Sequence, residues 1–242
     1  MKRIAFKQTL WVLVLSLLFA ANVEAKKKTG TKIPANLSGK TREYYAQAVK
    51  GDEQAQLMLA HCYQEGDGAP IDMQEAIRWY TKAANRGNVI AQYNLGDIYD
   101  RGNGINQDFA KAAYWYGKAA EQGDAPAQCS LGNCYFNGDG LQVDYNQAAY
   151  WFRKAANQGN AVGQRCLGIC YDEGKGVSQD HSIAVEWYEK AAMQGDAVAQ
   201  LNLGLSYAEG QGVKKDKKKA REWLTKAAAQ GDEDAKAALK EL

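Results

Sequence analysis

Two histidines and five cysteines are the side chains of this 242-residue sequence best suited to proton transfer, nucleophilic attack or soft-metal binding. Their spacing assembles none of these chemistries. His61 and His181 stand far apart, and Cys62, Cys129, Cys134, Cys166 and Cys170 form no clustered ligand set with either. There is no His-Glu-x-x-His run, no Ser-x-x-Lys pair and no Gly-x-Ser-x-Gly elbow. The glycine pairs 66/68, 102/104, 138/140, 174/176 and 210/212 resemble phosphate-wrapping loops, but none is followed by Gly-Lys-Ser/Thr, and their recurrence marks them as turns. The expectation is a chain with no catalytic residue, no metal and no cofactor, in which His181 is a surface residue at a helix start.

The elements that carry these residues follow from a period. Glycine recurs at 51, 87, 123, 159, 195 and 231, an interval of 36 residues, with Trp79, Trp115, Trp151, Trp187 and Trp223 and Tyr63, Tyr99, Tyr135, Tyr171 and Tyr207 on the same beat. Ala91, Leu95, Gly96 and Tyr99 place an apolar stripe along one helix, Gly102 and Gly104 break it, and Asp108 caps a second helix striped by Ala112, Trp115, Tyr116, Ala119 and Ala120. Asp72, Asp144, Asp180 and Asp216 are the matching caps, and Asp124 suits the cap of the next unit's first helix. The Trp and Tyr rings are expected to fill the space between layers. Neither helix can bury its stripe alone, so the expected fold is all-α, an α-solenoid of 36-residue helix-turn-helix units in which neighbours stack into one core. Full units are read at 52–87, 88–123, 124–159, 160–195 and 196–231, inside a solenoid spanning 40–242 with half-unit caps and no second domain.

Residues 1–25 lie outside the repeat. Lys2, Arg3 and Lys7 precede the apolar run from Leu10 to Ala21, and Val23-Glu24-Ala25 offers a small-x-small cleavage site, so a signal peptide cut near Ala25 is expected. The apolar run is too short to span a bilayer comfortably, which leaves no stable membrane span in the mature chain. Residues 26–39 read as a flexible leader. The signal segment holds Lys2, Arg3, Lys7 and Glu24, so removing it leaves 27 basic and 27 acidic residues. That balance argues against nucleic acid as a partner. The basic run Lys214, Lys215, Lys217, Lys218, Lys219 and Arg221 is read as a solvated cap or, alternatively, a patch for an anionic partner.

The pattern Ala-Gln-x-Asn-Leu-Gly-x-x-Tyr at 91–99, Gly-x-Gly at 102–104 and Asp-x-x-x-Ala-x-x-Trp-Tyr-x-Lys-Ala-Ala-x-x-Gly at 108–123 resembles the Sel1-like repeat family. The resemblance implies a right-handed superhelix related to tetratricopeptide repeats and a role in assembling protein complexes. It also implies that the first helix of each pair lines the concave face. A protein or peptide partner would then meet His61, Gln64 and Glu65, then Tyr93, Asp97, Asp100 and Arg101, then Asn133, Phe136 and Asn137. Arg165, Asp172, Glu173, Leu205 and Glu209 continue the face, and Tyr93, Phe136 and Arg165 are the expected anchors. The expected role is a noncatalytic scaffold in the periplasm or secreted from the cell.

A weaker resemblance, to a cysteine-rich secreted branch of the same family, implies penicillin-binding or β-lactamase-like activity and cell-wall material as a possible ligand. That branch carries two cysteines eight positions apart in nearly every unit, a spacing this chain lacks. A structural spacer is a third alternative. For the cysteines themselves three arrangements remain open: Cys134 with Cys170 and Cys129 with Cys166, a local Cys129–Cys134 bond, or a buried, reduced set.

Overall fold

The computed structural model describes residues 32–242, so the expected signal peptide and the start of the leader lie outside the described residues. The described chain divides between Asp72 and Met73 into two compact units. The first holds α1 (Gly39–Ala48) and α2 (Glu53–Glu65). The second opens with α3 (Met73–Ala84), α4 (Val89–Arg101), α5 (Phe109–Glu121), α6 (Ala125–Asn137) and α7 (Tyr145–Asn157). It continues through α8 (Ala161–Glu173), α9 (His181–Met193), α10 (Ala197–Glu209), α11 (Lys217–Ala229) and α12 (Glu233–Glu241). All regular structure among the described residues is helical, and in the second unit consecutive helices pack on one another as an all-α solenoid. The half-unit readings at both ends correspond to α1 and α12.

From α4 onward each helix starts where a short acceptor side chain meets an orphan N–H, as α2 does at Asp52, whereas Ser38 at the start of α1 makes no such bond. Asp108 accepts from the Lys111 N–H at 3.0 Å, and Asp144, Asp180 and Asp216 each accept two N–H bonds from the following turn. Asn88, Asp124, Asn160 and Asp196 cap the first helix of each pair in the same way. At the other end of that helix, Gly102, Gly138, Gly174 and Gly210 turn the chain with φ between 66° and 86°. The second glycine of each pair serves a different need. A Cβ on Gly140 or Gly176 would collide with the backbone carbonyl of Phe109 or Tyr145, at the start of the preceding unit's second helix.

Glycines within the first-helix stripe set the spacing of the helices. Gly96, Gly132, Gly168 and Gly204 let the first helix rest on the side chain of Tyr116, Phe152, Tyr188 or Leu224; a Cβ on Gly132 would sit 2.5 Å from the Phe152 ring. Those side chains are at most 2% exposed and form the core. The tryptophans, expected beside them between layers, are buried only at Trp79. Trp115, Trp151, Trp187 and Trp223 are half-buried. The exposed faces of Trp187 and Trp223 carry Lys190 and Lys226, at 3.8 and 3.9 Å from the ring centres.

A buried glutamine links the end of one helix to the next unit. Gln92, Gln128, Gln164 and Gln200 are 2–6% exposed. The Gln128 amide donates to the Ala120 carbonyl at 3.2 Å, and its Oε1 accepts from Gln158 at 2.8 Å. Gln158 also donates to the Gly123 carbonyl at 3.0 Å. The same bonds join Gln164 to Ala156 and Gln194, and Gln200 to Ala192 and Gln230. In the first unit Gln56 donates to the Ala48 carbonyl at 3.1 Å, but its buried Oε1 has no hydrogen-bond partner.

The end of the expected flexible leader is tied down. Leu37 is 3% exposed, the Ser38 N–H donates to the Gly68 carbonyl at 2.8 Å, and the Thr41 hydroxyl donates to the Asp67 carbonyl at 2.9 Å. An apolar side chain with a pocket to enter and a backbone donor with a waiting acceptor overcome the turn-rich composition that suggested mobility.

Replacing Gln128 by Leu keeps the volume but leaves the Ala120 carbonyl without its buried donor and Gln158 without its acceptor. The expected loss is about 1–3 kcal/mol of stability, read as a lower urea midpoint at unchanged m-value; a midpoint equal to wild type would remove the glutamine from this role.

Candidate functional site

The first-helix face of the second unit divides into positions that join units and positions left open. Tyr93, Cys129 and Arg165 occupy equivalent places, and Cys129 and Arg165 reach the cap of the next unit's first helix. Arg165 Nε lies 3.1 Å from Asp196 Oδ2, and the Cys129 thiol donates to Asn160 Oδ1 at 3.2 Å. Tyr93 packs on Tyr116 with ring centres 5.8 Å apart; burial, then the charges of Asp97 and Asp124, raise its phenol above the ordinary range. Of the expected anchors, Arg165 is therefore engaged in joining two units and Tyr93 in packing on Tyr116 of its own helix pair.

Other expected residues are engaged nearby. Asp97 binds Arg101 at 2.7 Å, and Glu173 binds Lys175 at 2.7 Å. Asp172 accepts from the Tyr188 hydroxyl at 3.4 Å and lies 2.7 Å from His181 Nδ1. His181 is thus the first residue of α9, as expected, and also part of a polar cluster. Gln211 Nε2 lies 3.2 Å from both ring nitrogens, where a nucleophile would have to stand for a catalytic dyad. His61 is exposed on α2, in a separate pocket of about 270 Å³ in the first unit, with Tyr44, Met58 and Asp67 among its walls.

An open groove remains beside α6 and α8. A polar part of about 330 Å³ is lined by Asp100, Ser130, Asn133, Asn137, Asp139 and Arg165, with Cys134 and Cys166 at its floor. A smaller pocket of about 170 Å³ shares Asn133, Asn137, Arg165 and Cys166 and adds Phe136, Phe152 and Ile169. Of the residues expected to face a partner, Asp100, Asn133, Phe136, Asn137 and Arg165 come together here. Phe136 is half-buried, edge-on to Tyr145 at 5.3 Å, with Lys175 Nζ 4.7 Å from its ring centre. Asn133 is exposed and its side chain forms no hydrogen bond with another described residue.

Ser130, Asp139 and Ile169 were missed. For Asp139 a signal existed. It is the variable residue between two fixed turn glycines, at the place taken by Asn103, Lys175 and Gln211 in other units. A fixed loop around a changing side chain is a presentation device, and reading the loop only as a turn hides it.

The five cysteines are free, buried thiols, with neither the Cys134–Cys170 nor the Cys129–Cys166 bond formed. Burial pushes Cys129, Cys134 and Cys170 up to about 12 and raises Cys166 as well. At neutral pH they are protonated hydrophobes rather than nucleophiles. Burial, with Asp97 and Asp139 adding to it, also lifts the Asp100 carboxyl against the Tyr116 hydrogen bond. Among the described residues no group of three or more His, Cys, Asp or Glu is placed to hold a metal ion, and no helix is long and apolar enough to cross a membrane. What the groove offers is shape, amides, carboxylates and an aromatic wall.

The Sel1 repeat family model matches residues 53–88, 89–124, 125–160, 161–196 and 197–232. Among solved structures, the chain is 38% identical to a protective antigen of uropathogenic Escherichia coli strains that displays an SLR fold, with a TM-score of 0.79 over 84% of this chain. The chain spans 44% of that protein's length. A Sel1 repeat protein from Oxalobacter formigenes is 34% identical, with a TM-score of 0.74 over 82% of this chain and 81% of its own. Among curated proteins no match is found.

The thiols carry a pH signature. In the unfolded chain a thiol ionises near its ordinary value of 9.0, whereas Cys129, Cys134 and Cys170 hold their protons to about 12 when folded. The folded state binds more protons between these values, so their contribution is intact below pH 9 and falls as pH rises toward 12. Alkaline unfolding followed by circular dichroism should accordingly begin at higher pH in a Cys134→Ala/Cys170→Ala variant, once the loss of packing is corrected at pH 7. An unshifted alkaline limb would assign the transition to other groups.

Proposed function

We propose, for a chain that belongs to the Sel1 repeat family, that it is a noncatalytic scaffold which holds a protein or peptide partner in the groove beside α6 and α8. The observation that carries this reading is the meeting there of a free amide, Asn133, with an aromatic wall, Phe136, on a scaffold already fixed by its neighbours. A preformed groove spends little free energy on ordering itself, so contacts made by a partner count in full toward affinity. Arg165 shapes one edge while its Nε stays on Asp196. The protonated thiols and the His181–Gln211 contact supply no nucleophile for a β-lactamase-like reaction.

The place of action is outside the cytoplasm, in a bacterial periplasm or beyond the cell. What supports this is the basic, apolar and small-residue order of residues 1–25, which ends at Ala25 and gives a mature chain starting at Lys26.

A photo-reactive amino acid placed at Asn133 in the full chain, expressed in a bacterial host, tests the groove. One reproducible adduct is expected at position 133, absent when the label replaces the exposed Tyr114 instead, and reduced at least about tenfold by Phe136→Ala, the loss of a central aromatic contact. Equal labelling from both positions, or an adduct indifferent to Phe136→Ala, would place binding elsewhere.

A further inference from the structure

Most charges on the first-helix face are cancelled locally. Asp97 is held by Arg101, Glu173 by Lys175 and Arg165 by Asp196. Asp100 and Asp139, which both line the larger part of the groove, have neutral partners instead. Asp100 accepts from the Tyr116 hydroxyl at 3.4 Å, and Asp139 accepts from the Asn137 amide at 3.1 Å. Their fields converge on the same space, since after burial these two carboxylates are what raise the Cys134 thiol between them and the floor. The groove therefore holds two carboxylates that form no ion pair with another described residue, one of them partly withdrawn from water, while the cation of the lining, Arg165, is held by Asp196; a cation from outside is attracted there more strongly than at an open surface.

The second feature is independent of charge. Directly continuous with this polar end, through Asn133 and Asn137, is the pocket walled by Phe136, Phe152 and Ile169. Asn133 stands at the junction with a donor and an acceptor both unused by other described residues, the pair of functions that a peptide group complements. A metal ion suits this site less well, because the carboxylates are not joined by a third ligand group.

Building on the groove reading above, we infer that the partner is a peptide segment with a Lys or Arg side chain set against Asp100 and Asp139 and a neighbouring apolar side chain set against Phe136, Phe152 and Ile169. Asn133 bonds the backbone between them. The ammonium or guanidinium supplies the missing counter-charge, and its apolar neighbour covers the aromatic wall.

The test uses the mature chain, residues 26–242, and fluorescent capped peptides that differ only in a central pair: Lys-Leu, Arg-Leu, Glu-Leu or Lys-Ser. Anisotropy titrations should show the Lys-Leu and Arg-Leu peptides binding at least about tenfold more tightly than the other two. An Asp100→Asn/Asp139→Asn variant, with thermal unfolding as in wild type, should lose about tenfold for Lys-Leu and most of the salt dependence of its binding. Equal or tighter binding of Glu-Leu, indifference to the Asn substitutions, or no binding by any peptide would overturn the inference. An Asn133→Ala/Phe136→Ala variant separates the two levels. If it abolishes binding that shows no basic preference, the groove stands and the charge argument falls; if Lys-Leu binds it as well as wild type, the groove reading falls too.

Discussion

Gln128 sits almost wholly out of water between the end of one helix and the start of the next unit, and its one amide has to satisfy a carbonyl and accept a second amide at once. A buried polar group left unpaired is costly, so the helices on either side must keep the spacing and angle that close both bonds. Gln92, Gln164 and Gln200 impose the same condition along the second unit. Apolar stripes drive the helices together but tolerate sliding. The amide pair does not, and the close contacts of Gly96, Gly132 and Gly168 with rings and of Gly204 with Leu224 sit in the register it sets.

The fold was legible in the sequence because its determinants are local and repeated. Turn glycines, capping Asp residues and stripes of Ala and Leu act within one unit, and their recurrence multiplies a weak signal into a strong one. Gln128 and its equivalents recur just as faithfully, but the polar type alone does not announce burial, because their hydrogen bonds reach into other helices. The tryptophans misled in the opposite direction. Their size suggested the core, whereas the neighbouring Tyr116, Phe152 and Tyr188 fill it and the indoles take lysines on their outer faces.

The site was legible in part for a related reason. Variation on a fixed background singled out Asn133, Phe136 and Arg165, which line one pocket, but variation alone does not separate a side chain that greets a partner from one that locks two units. Arg165 pairs with its own cap neighbour, Asp196, and Tyr93 packs on Tyr116. Asp139 escaped notice because it lies in a loop whose glycines dominate the reading. The difference between joint and open positions is set by what the next unit offers, a contact between residues 31 apart for Arg165 that no pattern within one helix contains.

The identical glutamine joints also bear on how such a chain can grow. Since the glutamine bonds at Gln128 recur at Gln164 and Gln200, copying one whole unit into the array closes the same amide pair at the added boundary, and only the unit-specific joints such as Arg165–Asp196 have to be matched anew. In-frame gain or loss of units is thus a nearly silent change to the scaffold, while an insertion of any other length severs the amide relay. Selection can lengthen the array by duplication and then alter the duplicated surface, with the older groove left undisturbed.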